Sequence, residues 1–453
     1  MSGYRILSFD GGPAALTMLP CLIEIERKRS GVLAATDLFV GASSGSWTAL
    51  YLARNMGLVD AGEITGLELL ERCLAFLKEA LAAMRPADPV KAWLDFMGGE
   101  APLLGYQGVQ QVMVEPANYG EDTLGSLTSR RAVVIAGRMS SPWSPRVYDS
   151  ADPQCAATYL YDVGLCSGSF PMVYPIRAGQ VDGAMYTNNP AMVGLVQALA
   201  GAGKVGPVAP ADARVLTLGL DDGSSNLSNL FLPGSRVSDE ELSSELTGAP
   251  LQSPELAGSQ KKLRDLFDGL PWADARIAKI VSALSSADPP VIDPRTADGM
   301  RQITRRLRAR MNTMVLELES PMQSAEGHEV APVPAPPPTE QPWGWPPWTV
   351  FPLNFLYLLQ VMLNSQGRGV GEQCERLLGK RSLRLGPVSL LPTNEAAMLL
   401  LLGLDGLAIA FGELTALLWR VTWPAGVVSR LGFQPGFEDA LSWIESEWMP
   451  EER

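Results

Sequence analysis

The amino-acid sequence predicts an α/β fold with a mostly parallel β-sheet wrapped by helices. From residue 1 to about residue 220, short apolar runs alternate with longer segments in which apolar residues recur at helical spacing. This alternation is typical of strands that are connected by helices in a parallel sheet. The chain has 453 residues, of which 46% are hydrophobic, so it can bury a large core and still carry one or two additional segments.

Four apolar runs predict the strands of this sheet. They comprise residues 5–9, 38–40, 132–136 and 215–220. After the first run, Leu16, Leu19, Leu22, Ile23 and Ile25 recur at a spacing that predicts a helix with one buried face. The second run leads through a Gly/Ser-rich turn into a further helical pattern, SWTALYLARN. The chain therefore begins with two strand–helix units.

Composition divides the chain into three predicted parts. Residues 1–222 form the α/β core, and residues 223–342 form a variable helical insertion that ends in a proline-rich linker at 332–338. Apolar content returns in residues 343–453, which we expect to pack as helices against the core. An aromatic cluster at 343–355 suits either core packing or contact with a membrane surface.

Charge and cysteine content exclude several classes of protein. The net charge of −13 argues against a nucleic-acid-binding protein, because binding of the phosphate backbone relies on clustered Lys and Arg. Five scattered cysteines without a C-x-x-C pair predict reduced, buried thiols rather than disulfides or a zinc site. The N-terminus has no signal-peptide pattern, and prolines or charged residues interrupt the apolar stretches at 341–367 and 396–419. We expect a cytoplasmic protein without a metal or cofactor.

The segment GASSG, residues 41–45, fits the G-x-S-x-G pattern of a nucleophile elbow. An apolar run precedes it and a helical pattern follows, which is the strand–turn–helix context that the elbow requires. Ser43 is therefore the candidate nucleophile. A Gly/Ser-rich turn that only connects two elements remains the alternative.

A serine hydroxyl needs a neighbouring base, and the usual base is histidine. The single histidine, His328, lies beside the proline-rich linker, where an imidazole is hard to hold in place. A carboxylate is then the remaining base, and the best candidate is Asp182 in VDGAMYTNNP, where Asn189 and Pro190 predict the start of the next helix. An ordinary turn aspartate is the alternative for Asp182.

The segment SFDGG, residues 8–12, places Gly11 and Gly12 between the first predicted strand and helix. Backbone N–H groups at such a helix start can stabilise developing negative charge, as an oxyanion hole does. A glycine turn without a catalytic role is the alternative.

Taken together, SFDGG, GASSG, CSGSFPMVYPI and VDGAMYTNNP resemble the motifs of the patatin-like phospholipase family in order and spacing. The resemblance implies a three-layer sandwich with a mostly parallel sheet, a variable helical insertion and C-terminal helices. It also implies a Ser–Asp catalytic dyad without histidine. By this resemblance Ser43 is the nucleophile, Asp182 is the base, and the amides of Gly11 and Gly12 are the oxyanion donors.

Three residues depart from the family's D-G-G-G-x-R-G loop. Pro13 stands at the third glycine and removes a backbone N–H, Ala15 stands at the arginine, and Leu16 stands at the last glycine. The resemblance implies a phospholipase A-like acyl hydrolase that forms an acyl-enzyme. Its expected partners are a phospholipid or other acyl-lipid substrate and a membrane surface that it contacts peripherally. The departures favour the alternative of a weakened or inactive lipid-binding or regulatory protein, and a Ser–His acyltransferase is a third possibility.

Overall fold

The computed structural model describes residues 3–12, 15–84, 86–88, 92, 102, 104–139, 144–170, 173–203, 205–219, 369–386, 405–420 and 436–449. The strands are β1 (Tyr4–Phe9), β2 (Leu38–Ala42), β3 (Arg131–Arg138), β4 (Ser144–Asp149), β5 (Gln180–Asp182), β6 (Ala213–Leu218) and β7 (Ser382–Leu385). The helices are α1 (Ala15–Lys28), α2 (Ser44–Asp60), α3 (Gly66–Ala83), α4 (Gln107–Met113), α5 (Leu160–Ser167), α6 (Ala191–Ala200), α7 (369–378), α8 (Asp405–Arg420) and α9 (Phe437–Trp443).

The described strands form one mostly parallel sheet. Six of them lie in the order β4-β3-β2-β1-β6-β7. The pairs β1–β2, β2–β3, β1–β6 and β6–β7 are parallel, whereas β4 and β5 both pair with β3 in the antiparallel direction. The mostly parallel α/β fold predicted from the sequence is therefore confirmed.

Helices cover both faces of the sheet, which gives three layers. Strand residues alternate between the two faces, as the period of two requires. On β1, for example, Leu7 packs in a core with α1, α2 and α3, whereas Ile6 packs in a second core with α6 and α7. This arrangement leaves the carboxyl ends of the parallel strands free to carry a site, where open α/β sheets usually bind ligands.

The position of β5 decides which residues meet at that edge. Strand β2 pairs with β3 up to Ala42, which lies opposite Ile135. Asp182 of β5 lies opposite the next residue of β3, Ala136. Along β3, strand β5 thus takes the place of β2 beyond the carboxyl end of β2. Asp182 therefore lies beside Ser43, the residue that follows Ala42.

The predicted strands are all present, with bounds that differ by a few residues. The prediction for the C-terminal region named only helices, whereas β7 adds a parallel strand to the sheet. The predicted start of the helix after Asp182 was wrong by one residue: α6 begins at Ala191, with Pro190 at the capping position. The side chain of Asn189 still accepts a hydrogen bond from the Ala191 N–H at 3.0 Å.

Several other sequence predictions concern residues outside the described ranges. They include Pro13, His328, the insertion at 223–342 and the aromatic cluster at 343–355. All five cysteines are described; they are free thiols and buried, as predicted. None of the described helices has the length and apolar character needed to span a membrane.

Candidate active site

Ser43 occupies a sharp turn between β2 and α2. Its φ of 52° and ψ of −130° lie in a region that non-glycine residues rarely adopt. Two glycines make this turn possible because backbone approaches them closely. A Cβ on Gly41 would lie 2.3 Å from the Gly45 carbonyl oxygen, and a Cβ on Gly45 would lie 2.3 Å from the carbonyl oxygen of Phe9. The G-x-S-x-G spacing thus has a direct steric cause in this fold.

Ser167 holds the backbone of the elbow. Its hydroxyl accepts a hydrogen bond from the Ser43 N–H at 2.9 Å and donates one to the Ile135 carbonyl at 2.6 Å. The elbow is therefore tied to β3, the strand that also pairs with β5. Sequence reasoning placed Ser167 in the motif CSGSFPMVYPI but did not assign it this role.

Two hydrogen bonds hold Asp182 at the end of β5. Its N–H donates to the Ser169 carbonyl at 2.9 Å, and its Oδ1 accepts from the Ala184 N–H at 2.7 Å. The next residue must be glycine, because a Cβ on Gly183 would lie 2.0 Å from the Ile135 carbonyl oxygen. These contacts fix the direction of the carboxylate, as a positioned base requires.

The side chains of Ser43 and Asp182 are in contact. The Ser43 Oγ donates to the Asp182 Oδ2 at 2.6 Å, across 139 positions of sequence. Asp182 is fully buried, whereas Ser43 is partly exposed. A substrate can thus reach the hydroxyl while the carboxylate stays out of water.

Burial raises the pKa of Asp182 from its ordinary value of 3.8 to about 7. The hydrogen bonds from Ser43 and from the Ala184 N–H act in the opposite direction and lower it. A carboxylate with a pKa near neutrality is a much stronger base than an ordinary aspartate and is still largely ionised above pH 7. The site therefore combines a partly exposed hydroxyl with a carboxylate whose pKa lies near neutrality.

The two predicted oxyanion donors differ in whether their N–H groups already have an acceptor. The Gly11 N–H donates to the Asn188 carbonyl at 3.1 Å, so it is already engaged. The Gly12 N–H has no acceptor among the described residues, and Gly12 has the positive φ of 88° that favours glycine. Gly11 approaches Ser43 closely, since a Cβ on Gly11 would lie 2.8 Å from the Ser43 Cβ.

The Ser44 N–H is a further donor that sequence reasoning missed. Ser44 is the first residue of α2, and first-turn amides have no acceptor within their own helix. The amide after the nucleophile is the usual second donor of an elbow, so the motif itself contained this signal. The Ser44 hydroxyl donates to the Gly12 carbonyl and connects the elbow to the glycine loop.

A buried ion pair links the glycine loop to the C-terminal strand. Arg384 of β7 contacts Asp10 at 2.9 Å, and both side chains are almost completely buried. Gly219 makes room for the pair, because a Cβ there would lie 2.1 Å from the Asp10 Oδ2. No local pattern indicates this contact, since 374 positions separate the two residues.

Replacement of Arg384 by Met is expected to lower the free energy of unfolding by about 3–5 kcal/mol, because it removes the cation that contacts the buried Asp10 carboxylate. The double variant Asp10→Asn/Arg384→Met removes both charges and should recover most of this loss. Urea unfolding of the two variants beside wild type measures the difference. Equal destabilisation in the single and double variants would show that the ion pair itself does not matter.

Among the residues that the structure describes, no group of three or more His, Cys, Asp or Glu residues could hold a metal ion.

Comparison with known protein families found a match to part of this chain. Residues 7–195 match the model of the patatin-like phospholipase family. This part of the chain is therefore similar to a patatin-like phospholipase domain. The match runs from β1 into α6 and includes the glycine loop, the elbow and Asp182. Arg384 and β7 lie outside the matched range, although β7 pairs with β6 in the same sheet.

Other comparisons add little to this result. Among solved structures, the chain is similar to VipD from Legionella pneumophila, with 11% identity, a TM-score of 0.26, and coverage of 100% of this chain and 93% of that chain. A TM-score this low does not bear on function. The comparison with curated proteins found no match.

Proposed function

We propose that this protein is a lipid acyl hydrolase of the phospholipase A type, with Ser43 as nucleophile and Asp182 as base. The observation that carries the proposal is the 2.6 Å hydrogen bond from the Ser43 Oγ to a buried carboxylate at a strained elbow. A structural aspartate gains nothing from burial beside a serine, because desolvation disfavours its charge. Strained residues and perturbed pKa values also concentrate at functional sites.

The reaction proceeds in two steps. The Asp182 carboxylate accepts the Ser43 proton while Oγ attacks the carbonyl carbon of a fatty acyl ester. The tetrahedral intermediate collapses as the carbon–oxygen bond to the alcohol breaks, and Asp182 returns the proton to the departing lysolipid. Water then loses a proton to Asp182 and attacks the acyl-serine, and the proton returns to Ser43 as the fatty acid leaves.

Backbone amides stabilise the negative charge that develops on the carbonyl oxygen. The Gly12 and Ser44 amides suit this role best. The Gly12 N–H has no acceptor among the described residues, and the Ser44 N–H, in the first turn of α2, has no acceptor within its helix. The Gly11 amide, which the sequence also predicted, must leave the Asn188 carbonyl before it can take part. The oxyanion hole we propose is therefore Gly12 with Ser44, joined by Gly11 only if the loop shifts.

The engaged Gly11 amide also favours the second candidate function. A chain whose predicted oxyanion donors are only partly available suits a weakened or inactive lipid-binding protein on the same fold. This alternative and the hydrolase share the acyl-lipid ligand and differ in turnover. For both, we propose a cytoplasmic location with peripheral membrane contact, which the five buried free thiols support.

Fatty-acid release from mixed phospholipid vesicles tests the proposal. The wild-type protein should release fatty acid in step with lysolipid, and a fluorophosphonate probe should modify a single peptide that contains Ser43. Heat-denatured protein is the control for both readouts. Vesicle binding without release or labelling would support the non-catalytic alternative instead.

A further inference from the structure

Elements from the C-terminal part of the chain hold the glycine loop, residues 10–12, from both of its sides. These elements are α7, β7 and α8, and all three lie outside residues 7–195, the range that matches the family model. One contact is made just before the two glycines, and the other is made at the start of the helix that follows them.

The first contact is made by Arg384 of β7. Its Nη2 donates to the Asp10 Oδ2 at 2.9 Å, and Asp10 directly precedes Gly11. The Asp10 N–H donates to the Leu218 carbonyl at 2.9 Å, so both the side chain and the backbone of Asp10 are held. Helix α7 packs against the arginine, since a Cβ on Gly371 would lie 2.6 Å from the Arg384 Cδ. Arg384 therefore has little freedom to turn away from the loop.

Strand β7 also supports the backbone beside this ion pair. The Gly219 N–H donates to the Leu385 carbonyl at 3.0 Å, which extends the pairing of β6 with β7 past the end of β6. Gly219 lies directly against the ion pair, because a Cβ there would be 2.4 Å from the Arg384 Nη2.

The second contact is made by Gly412 of α8. A Cβ on Gly412 would lie 2.2 Å from the Leu16 carbonyl oxygen, so the two helices meet backbone to backbone. Leu16 is the second residue of α1, the helix that follows the glycine loop. Rotation of a side chain cannot relieve a clash with a backbone atom, so a larger residue at position 412 must displace one of the two helices.

Helix α8 is anchored along the rest of α1. Ala416 and Trp419 are buried in the same core as α1, α2 and α3. Arg420 contacts Glu24 of α1 at 3.0 Å, towards the C-terminal ends of both helices. A displacement at Gly412 is therefore expected to move the start of α1, which is joined to the glycine loop.

The residues between these two contacts reach the proposed catalytic centre. A Cβ on Gly11 would lie 2.8 Å from the Ser43 Cβ, and the Ser44 hydroxyl donates to the Gly12 carbonyl. The Gly12 amide is one of the two donors that we propose for the oxyanion. A shift of the loop would thus change the position of this donor while the contact between Ser43 and Asp182, which lies on β2 and β5, stays as it is.

We propose that β7 and α8 position the glycine loop for stabilisation of the oxyanion, with Arg384 and Gly412 as positioning residues. Each acts through the backbone on one side of Gly12, and neither is expected to touch substrate. Such positioning matters because a displacement of about 1 Å can cost about 100-fold in rate, as can the loss of one oxyanion donor. The inference rests on the proposed hydrolase function and gives a role in it to segments outside the family match.

Gly412→Ala tests the contact with α1. The added methyl group should displace the start of α1, so kcat should fall by about 10- to 100-fold while KM stays within about twofold of wild type. Gly406→Ala is the matched control, because it is the same substitution in the same helix and nothing lies within 4 Å of a Cβ at that position. It should leave both constants unchanged.

The double variant Asp10→Asn/Arg384→Met tests the ion pair. It removes both charges and should therefore keep most of the folding stability, but the loop loses its connection to β7. We expect kcat to fall by about tenfold or more in this folded variant. Wild-type kcat in the double variant would show that the ion pair contributes only to stability, and would overturn the role of Arg384.

A fatty trifluoromethyl ketone separates positioning from loss of folded protein. The Ser43 Oγ adds to its carbonyl carbon, the proton passes to Asp182, and the former carbonyl oxygen becomes an oxyanion in the proposed hole. The inhibition constant should rise about as much as kcat falls, whereas the pH midpoint of kcat/KM, which reports on Asp182, should not move. An unchanged inhibition constant, with kcat reduced only in proportion to the sites that a fluorophosphonate labels, would overturn the proposal.

Hydrogen exchange keeps this inference separate from the proposed function, because it requires no turnover. The Gly11 N–H donates to the Asn188 carbonyl at 3.1 Å, and its exchange should become about tenfold faster in Gly412→Ala and in the double variant but not in Gly406→Ala. If wild type hydrolyses no ester, the hydrolase proposal fails, and faster exchange would still support the positioning of the loop. Unchanged exchange in both variants would contradict it, even in an active enzyme.

Discussion

A Ser43→Ala protein should release fatty acid at least about 10⁴-fold more slowly than wild type, because no other described hydroxyl donates to Asp182. The substitution removes only the Oγ and keeps a Cβ at the strained position, so the elbow retains its contacts through Gly41, Gly45 and Ser167. The decrease should therefore appear in kcat and in fluorophosphonate labelling, with circular dichroism and thermal unfolding close to wild type.

Ser126→Ala is the matched control for this substitution. Ser126 is exposed and donates only to the nearby Thr123 carbonyl, so its replacement should leave turnover and labelling unchanged. Retention of more than a few per cent of the wild-type rate by Ser43→Ala would assign the chemistry to another residue. Thermal unfolding close to that of wild type would show that the loss of activity does not result from loss of the folded structure.

The fold followed from the sequence where structure is local. The four apolar runs became β1, β2, β3 and β6, because each run is apolar and a helical pattern or a turn bounds it. Strand β7 escaped prediction for the opposite reason. Its four residues include Arg384, whose charge breaks the apolar run, and only pairing with β6 makes this segment a strand.

The same distinction applies to the candidate site. Ser43 and Asp182 could be found because each lies in a short motif with its own steric cause, and the structure brings the two side chains together. The engagement of the Gly11 amide by Asn188 could not be foreseen, since 177 positions separate the two residues. The same holds for the ion pair between Arg384 and Asp10, because such contacts depend on the folded topology rather than on any local pattern.

Burial of Asp182 ties the proposed activity to a cost in stability. Its pKa rises from 3.8 to about 7 on folding, so the folded state favours the neutral acid. This group therefore contributes stability that is full below pH 3.8, falls as the pH rises to about 7, and is absent above that pH. Catalysis needs the opposite protonation state, because only the carboxylate accepts the serine proton. The pH range of activity is thus the range in which the site stabilises the fold least.

Asp182→Asn should consequently have opposite effects on activity and on stability. The amide cannot accept the serine proton, so kcat should fall by about 10³-fold or more. The wild-type rise of kcat/KM with pH, which should level off above about pH 7, should disappear. The unfolding free energy of the variant minus that of wild type should be about 2–4 kcal/mol larger at pH 8 than at pH 4. The reason is that the variant, unlike wild type, buries no charge at the higher pH.

Urea unfolding at pH 4 and pH 8 checks the stability effect, and ester hydrolysis between pH 5 and pH 9 checks the rate. Asp152→Asn, at a partly exposed turn residue, is the matched control and should change neither. An Asp182→Asn protein that loses activity without gaining stability at pH 8 would mean that the wild-type carboxylate titrates near its ordinary value. In that case Asp182 would orient Ser43 without serving as a base matched to neutral pH.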